Sequence, residues 1–127
     1  MKTLISILVA VSLVGCAGIM DKMPSKWDPN QAKAVTDLRQ SANNFDCKGN
    51  LTEQLMIINY QLQWFELYSE SKGTKDVQHM GDAIRTTTKE MQERVVKGPV
   101  SPIYCDLKKK LLVQQTDIMA RAVQGRF

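Results

Sequence analysis

Helix punctuation constrains this chain more than any other feature. A capping residue followed by proline occurs at Asp28-Pro29 and again at Ser101-Pro102, and Asn50-Leu51-Thr52-Glu53 offers a capping box. Such residues satisfy the orphan N–H groups of a first helical turn, where the missing N–H of proline costs nothing. Gln31 stands three residues after Asp28, placed to return the cap. Between these signals the apolar residues recur at helical spacing. Val35, Leu38, Ala42 and Phe45 put one stripe on a first helix, which Asp46-Cys47-Lys48-Gly49 ends. Leu51, Leu55, Ile58, Leu62 and Phe65 do the same for a second helix. There Ile57, Tyr60, Trp64 and Leu67 widen the apolar face, so this helix is expected to be central and heavily covered.

Ser71-Lys72-Gly73-Thr74 then turns the chain. Val77, Met80, Ile84, Met91 and Val95 mark the buried side of a third helix, whose propensity Gly81 and Thr86-Thr87-Thr88 lower, making it the least rigid. After the stop at Lys97-Gly98-Pro99-Val100, a last helix carries Ile103, Leu107, Leu111, Ile118 and Ala122 towards Gly125. No hairpin signal or sustained strand alternation occurs. The expected fold is therefore all-α, a four-helix bundle over residues 28–127 in up-down-up-down order, because connections this short make successive helices antiparallel.

The segment ahead of the bundle has a different character. Lys2 precedes an apolar run from Leu4 to Val14 that Gly15-Cys16-Ala17-Gly18 closes with small residues. The run fits the h-region of a secretory signal and is too short to span a bilayer, which takes about 20 apolar residues. Leu13-Val14-Gly15-Cys16 resembles the lipobox of bacterial lipoproteins. The resemblance implies that Cys16 takes a diacylglyceryl group, that residues 1–15 are removed, and that Cys16 then carries an N-acyl chain as the new N-terminus. An ordinary secretory signal with a chance cysteine and an uncleaved anchor are the alternatives. Each buried methylene contributes about 0.8 kcal/mol and two chains already anchor stably, so a fully acylated Cys16 holds the protein on a membrane. Residues 16–27 read as the lipidated N-terminus and a tether. Residues 17–27 contain Pro24, follow no helical or strand period and reach roughly 35–40 Å when extended.

The remaining cysteines, Cys47 and Cys105, are an even pair in an exported chain and read as one disulfide. The topology agrees, since Cys47 closes the first helix and Cys105 opens the last. Two free thiols or a thiol nucleophile are the alternatives at this point. No composition or motif suggests an enzyme or a nucleic-acid binder. The net charge of +4 is mixed along the chain apart from Lys108-Lys109-Lys110, which reads as a solvated helix face. The sole histidine, His79, lacks an HExxH context or a second histidine, so no metal or cofactor beyond the lipid is expected. The pairs Glu66 with Glu70 and Glu90 with Glu93 lie one turn apart, an arrangement that usually faces water. Tyr60, Trp64 and Tyr68 form an i, i+4, i+8 ladder that could stack on sugar or peptide but is expected to be core.

The order of lipobox, tether, helix ending at a cysteine, helical hairpin, proline-containing loop and cysteine-started last helix resembles the pilotin lipoproteins of type II secretion, the PulS/OutS family. NNFDCKGNL around Cys47 and KEMQERVVKGPVSPIYCDLKKKLL around Cys105 carry the likeness, which covers about residues 31–124. It implies that the protein binds the C-terminal segment of a secretin subunit as a helix in a groove and, through the lipoprotein sorting machinery, escorts it to the outer membrane. Ala17 after Cys16, where an inner-membrane retention signal would usually show Asp, agrees with lipid anchoring on the periplasmic face of that membrane. Because the family uses its first helix for the tail, the groove is expected at Val35, Leu38, Ala42 and Phe45; Met80 and Ile84 of the third helix are the expected other wall, since methionine adapts to a ligand helix and weak propensity permits small adjustments. The alternative function is a structural or phage- or lysis-related envelope lipoprotein acting by protein–protein contact.

Overall fold

The computed structural model describes residues 25–126. The expected signal peptide at 1–15, the expected lipidation site Cys16 and the expected tether up to residue 24 lie outside the described residues. The chain forms α1 (Pro29–Asn43), α2 (Leu51–Ser71), a one-turn α3 (Lys75–Gln78), α4 (Asp82–Val96) and α5 (Pro102–Gln124). Among the described residues there is no strand.

The start signals work as their chemistry requires. Asp28 Oδ1 accepts from the N–H groups of Asn30 and Gln31 at 2.9 and 3.0 Å, Asn50 Oδ1 accepts from Glu53 N–H at 3.0 Å, and Ser101 Oγ accepts from Tyr104 N–H at 3.2 Å. Gln31, however, does not return the cap. Its side chain is buried, and its Nε2 donates to Ser69 Oγ at 3.0 Å and Thr74 Oγ1 at 2.8 Å, while its Oε1 accepts from Arg126 Nη2 at 2.6 Å. One amide thereby ties the start of α1 to the end of α2 and to the chain after α5. A buried amide is tolerated there because both of its ends are partnered.

The third apolar segment is not one helix. The chain breaks at His79–Gly81 between α3 and α4. Gly81 is buried, and a Cβ there would run into the Leu62 side chain on α2. The absence of a side chain lets Leu62 press against the backbone at the break, which is why glycine stands at this position. Beyond it, Ile84, Thr87, Thr88 and Met91 are buried. The Thr88 hydroxyl donates to Asn59 Oδ1 at 2.8 Å, so the β-branched run that weakens local propensity is held by α2.

α1 packs against α2 and α5, α2 against α4, and α4 against α5, closing a ring around a shared core. α2 and α5 stand diagonally across it. Polar contacts along the ring include Ser41 Oγ to Gln61 Oε1 at 2.9 Å, Arg39 to Asp117 at 2.7 Å and Lys108 to Glu90 at 2.5 Å, with Arg85 paired to Glu66. Cys47 and Cys105 form the disulfide, with 5.8 Å between their Cα atoms, joining the chain just after α1 to the first turn of α5.

Candidate partner-binding site

The residues expected to line a groove divide sharply in the structure. Val35, Leu38, Ala42, Phe45 and Ile84 are each at most 1% exposed and belong to the core, so they cannot receive a partner. Met80 is partly buried and packs against the same core. The physical reason lies in α1. It has a single apolar stripe and two neighbours, α2 and α5, which consume all of it. The groove expected at these positions is therefore corrected to core.

α2 provides what α1 lacks. Leu55, Ile58, Leu62, Phe65 and Ser69 face inward and are buried. Met56, Ile57, Tyr60, Trp64 and Leu67 remain exposed, Tyr60 at 71%. At 3.6 residues per turn the centres of these two sets lie about 170° apart around the helix. The residues read as widening a covered face thus form a second apolar face turned outward, and the Tyr60-Trp64-Tyr68 ladder is a surface feature rather than core. Trp64 and Tyr68 stack with ring centroids 4.9 Å apart and planes 8° from parallel. The Tyr68 hydroxyl accepts from Asn30 Nδ2 at 2.9 Å and lies 3.2 Å from Asp28 Oδ2, so the N-cap of α1 braces the ladder. Aromatic side chains fixed in this way lose little further entropy on binding.

Between this face and α1 runs a furrow. Recesses of about 430 and 290 Å³ lie between the two helices, a third of about 660 Å³ lies on α2 and its N-cap alone, and all three share Gln61 as a lining residue. The first is lined by Ala34, Tyr60 and Trp64 with Asn30, Lys33 and Asp37, and the second by Met56, Ile57 and Tyr60 with Asn50 and Glu53. Lys33 and Asp37 pair with each other at 2.7 Å on the α1 rim. The furrow is thus apolar around Ala34, Tyr60 and Trp64 and mainly polar towards Gln40 and Asn44, and apolar surface bordered by polar groups in this way suits an amphipathic segment. A signal for it exists in the sequence, namely two apolar sets on opposite sides of one helix.

α5 repeats the pattern. Cys105, Leu112, Thr116, Met119, Ala120 and Val123 are buried, whereas Ile103, Leu107, Leu111 and Ile118, the apolar repeat that marks this helix in the sequence, are exposed. Ala122 is exposed as well. Spacing alone cannot tell which of two apolar faces on one helix turns inward.

Of the groups considered for chemistry, Glu70 and Glu93 are exposed. His79 is exposed, with Nδ1 3.6 Å from Asp82 Oδ2, and Glu66 and Glu90 are engaged by Arg85 and Lys108. At the Asp28 carboxylate, burial pushes the pKa up, but the N–H groups of Gln31 and Asn30, the Tyr68 hydroxyl and the Lys72 charge hold it below the ordinary range. Comparison with protein-family models, with curated proteins and with solved structures returns no match.

Proposed function

We propose that the protein is a lipid-anchored, pilotin-type lipoprotein that binds the C-terminal segment of a secretin subunit as a helix laid in the α1–α2 furrow and escorts it to the outer membrane. The observation that carries the reading is the outward apolar face of α2. A helix that already buries five residues in the core exposes five more large apolar side chains along one side, beside a furrow and braced by hydrogen bonds. Contiguous exposed apolar surface of this kind marks interaction sites.

The dimensions suit such a ligand. From Met56 to Leu67 the face runs about 16 Å, or about three helical turns. A secretin tail that is disordered when free orders on docking, and burial of its apolar stripe on Ile57, Tyr60 and Trp64 compensates that cost. The helices are read in up-down-up-down order, which leaves the furrow open along its length and sets the disulfide at the end away from the tether. The lipid on Cys16 supplies the address, and no catalytic step or cofactor is involved.

The test is titration of a labelled C-terminal peptide of the secretin from the same cell. The parent should bind, and Tyr60→Asp or Trp64→Asp should weaken binding by at least about 2 kcal/mol, as central aromatic anchors do, with helicity and disulfide unchanged. If the parent binds no secretin tail of its own cell, the pilotin reading fails and the structural envelope lipoprotein takes its place.

A further inference from the structure

The second unpartnered apolar face, on α5, has a composition different from that of α2. Ile103, Leu107, Leu111 and Ile118 are exposed, Ile103 at 75%. Helical spacing places Lys110 and Arg121 along one edge of this face and Gln114 within it, and none of the three is buried. The strip itself holds no acidic residue. Asp117 lies at its rim, already engaged by Arg39 at 2.7 Å and Arg121 at 3.0 Å. Lys110 has no ion pair among the described residues. An apolar stripe edged by cations suits the boundary between acyl chains and anionic headgroups, where long basic side chains bury their stems and reach for phosphate. A second copy of this chain would suit it less, because pairing two such strips brings cations against cations.

We infer that the α5 outer face rests on the phospholipid surface of the membrane to which the chain is anchored, with the α2 furrow turned away from it. The inference rests on the proposed lipidation of Cys16. Reach permits it. Ser25 is held by Asp76, and Arg126 bonds Gln31, so the tether enters at the end of the bundle where α5 finishes. Nine residue steps separate Cys16 from Ser25, at most about 30 Å, while the strip from Ile103 to Ile118 extends about 22 Å. The bundle can therefore lie with α5 along the bilayer rather than stand on its end. No described helix is long and apolar enough to cross a membrane, so the contact is a surface one. Since α2 and α5 are diagonal in the ring, the same placement presents the furrow to the periplasm.

The test uses the full acylated protein reconstituted in vesicles of phosphatidylethanolamine and phosphatidylglycerol. Spin labels are attached at Leu107→Cys, at Ile118→Cys and, for reference, at Tyr60→Cys. Labels at 107 and 118 should lose accessibility to a water-soluble nickel relaxant and gain it to oxygen, as at a depth of ~5–10 Å. The label at 60 should stay in water. Lys110→Glu with Arg121→Glu should return the 107 label to water. Equal nickel accessibility at 60, 107 and 118 in acylated protein overturns the inference alone. Spin–spin broadening at 107 overturns it in favour of a second copy. Membrane-purified protein without the acyl mass overturns the anchor reading and this inference with it.

Discussion

α1 and α2 lie side by side and share the core, yet they use their apolar residues in opposite ways. α1 has one stripe, and all of it is buried between two neighbours; its outer side is polar, with Lys33, Arg39 and Gln40 exposed. α2 has two stripes, and only one is buried. A helix with a single apolar face must spend it on the core if the domain is to fold at all. A helix with two opposed faces can satisfy the core with one and keep the other for a ligand. Surplus apolar surface, beyond what packing consumes, is thus the feature that locates the candidate site.

The comparison is broken most forcefully at Leu38. Leu38→Asp places a carboxylate in a fully buried position, and the loss should exceed about 4 kcal/mol, a large share of the stability of a domain this size. Trp64→Asp on the outer face of α2 should cost only about 1–1.5 kcal/mol, chiefly the lost stack on Tyr68. Urea denaturation followed by circular dichroism measures both, and similar losses at the two sites would mean that the outer face of α2 is structural.

The disulfide sharpens the comparison next. It closes a sequence separation of 58 residues and pins the end of α1 to the start of α5, whereas α2 has no such tie. Reduction should lower stability by roughly 4 kcal/mol on the chain-entropy model. The lost hydrogen-exchange protection should appear first at residues 43–47 and 101–106. A reduced protein that melts at the parent's temperature would contradict this.

A smaller effect belongs to the cap that serves both helices. Asp28 caps α1 and meets Tyr68 of α2 with its other oxygen. Its depressed pKa means that its contribution is complete above the ordinary carboxylate range and is lost as pH falls through the folded-state value. Asp76, bonded by Ser25, is lowered in the same sense against the upward push of its burial. Asp28→Ala should cost about 1 kcal/mol at neutral pH. The cost should shrink in acid as the carboxylate protonates; a cost unchanged there would assign the loss to packing.

How much of this was legible depended on the number of apolar faces per helix. α1 has one, and the helical repeat from Val35 to Phe45 marks it, but nothing in that spacing shows that the two neighbours of α1 use all of it. The caps at Asp28, Asn50 and Ser101 and the Cys47–Cys105 bridge were legible because each depends on local chemistry or on simple chain order. α5 has two faces, and spacing selected Ile103, Leu107, Leu111 and Ile118 over the residues that are buried. Cys105 and Thr116, two of those residues, are not typical markers of a stripe. The break at Gly81 is set by Leu62 on another helix, a contact that local propensity does not contain.

The most direct test of the central claim uses Trp64 as its own reporter. Trp64 is 43% exposed in the furrow, and Trp27, the other tryptophan, is 47% exposed before α1. In a Trp27→Phe background, adding the C-terminal peptide of the cognate secretin should shift the Trp64 emission to the blue and saturate with the binding curve. The same titration in that background with Ile57→Asp should leave the emission unmoved. A peptide that binds with full affinity while the Trp64 emission stays that of a water-exposed indole would contradict the account, because the partner would then occupy another face.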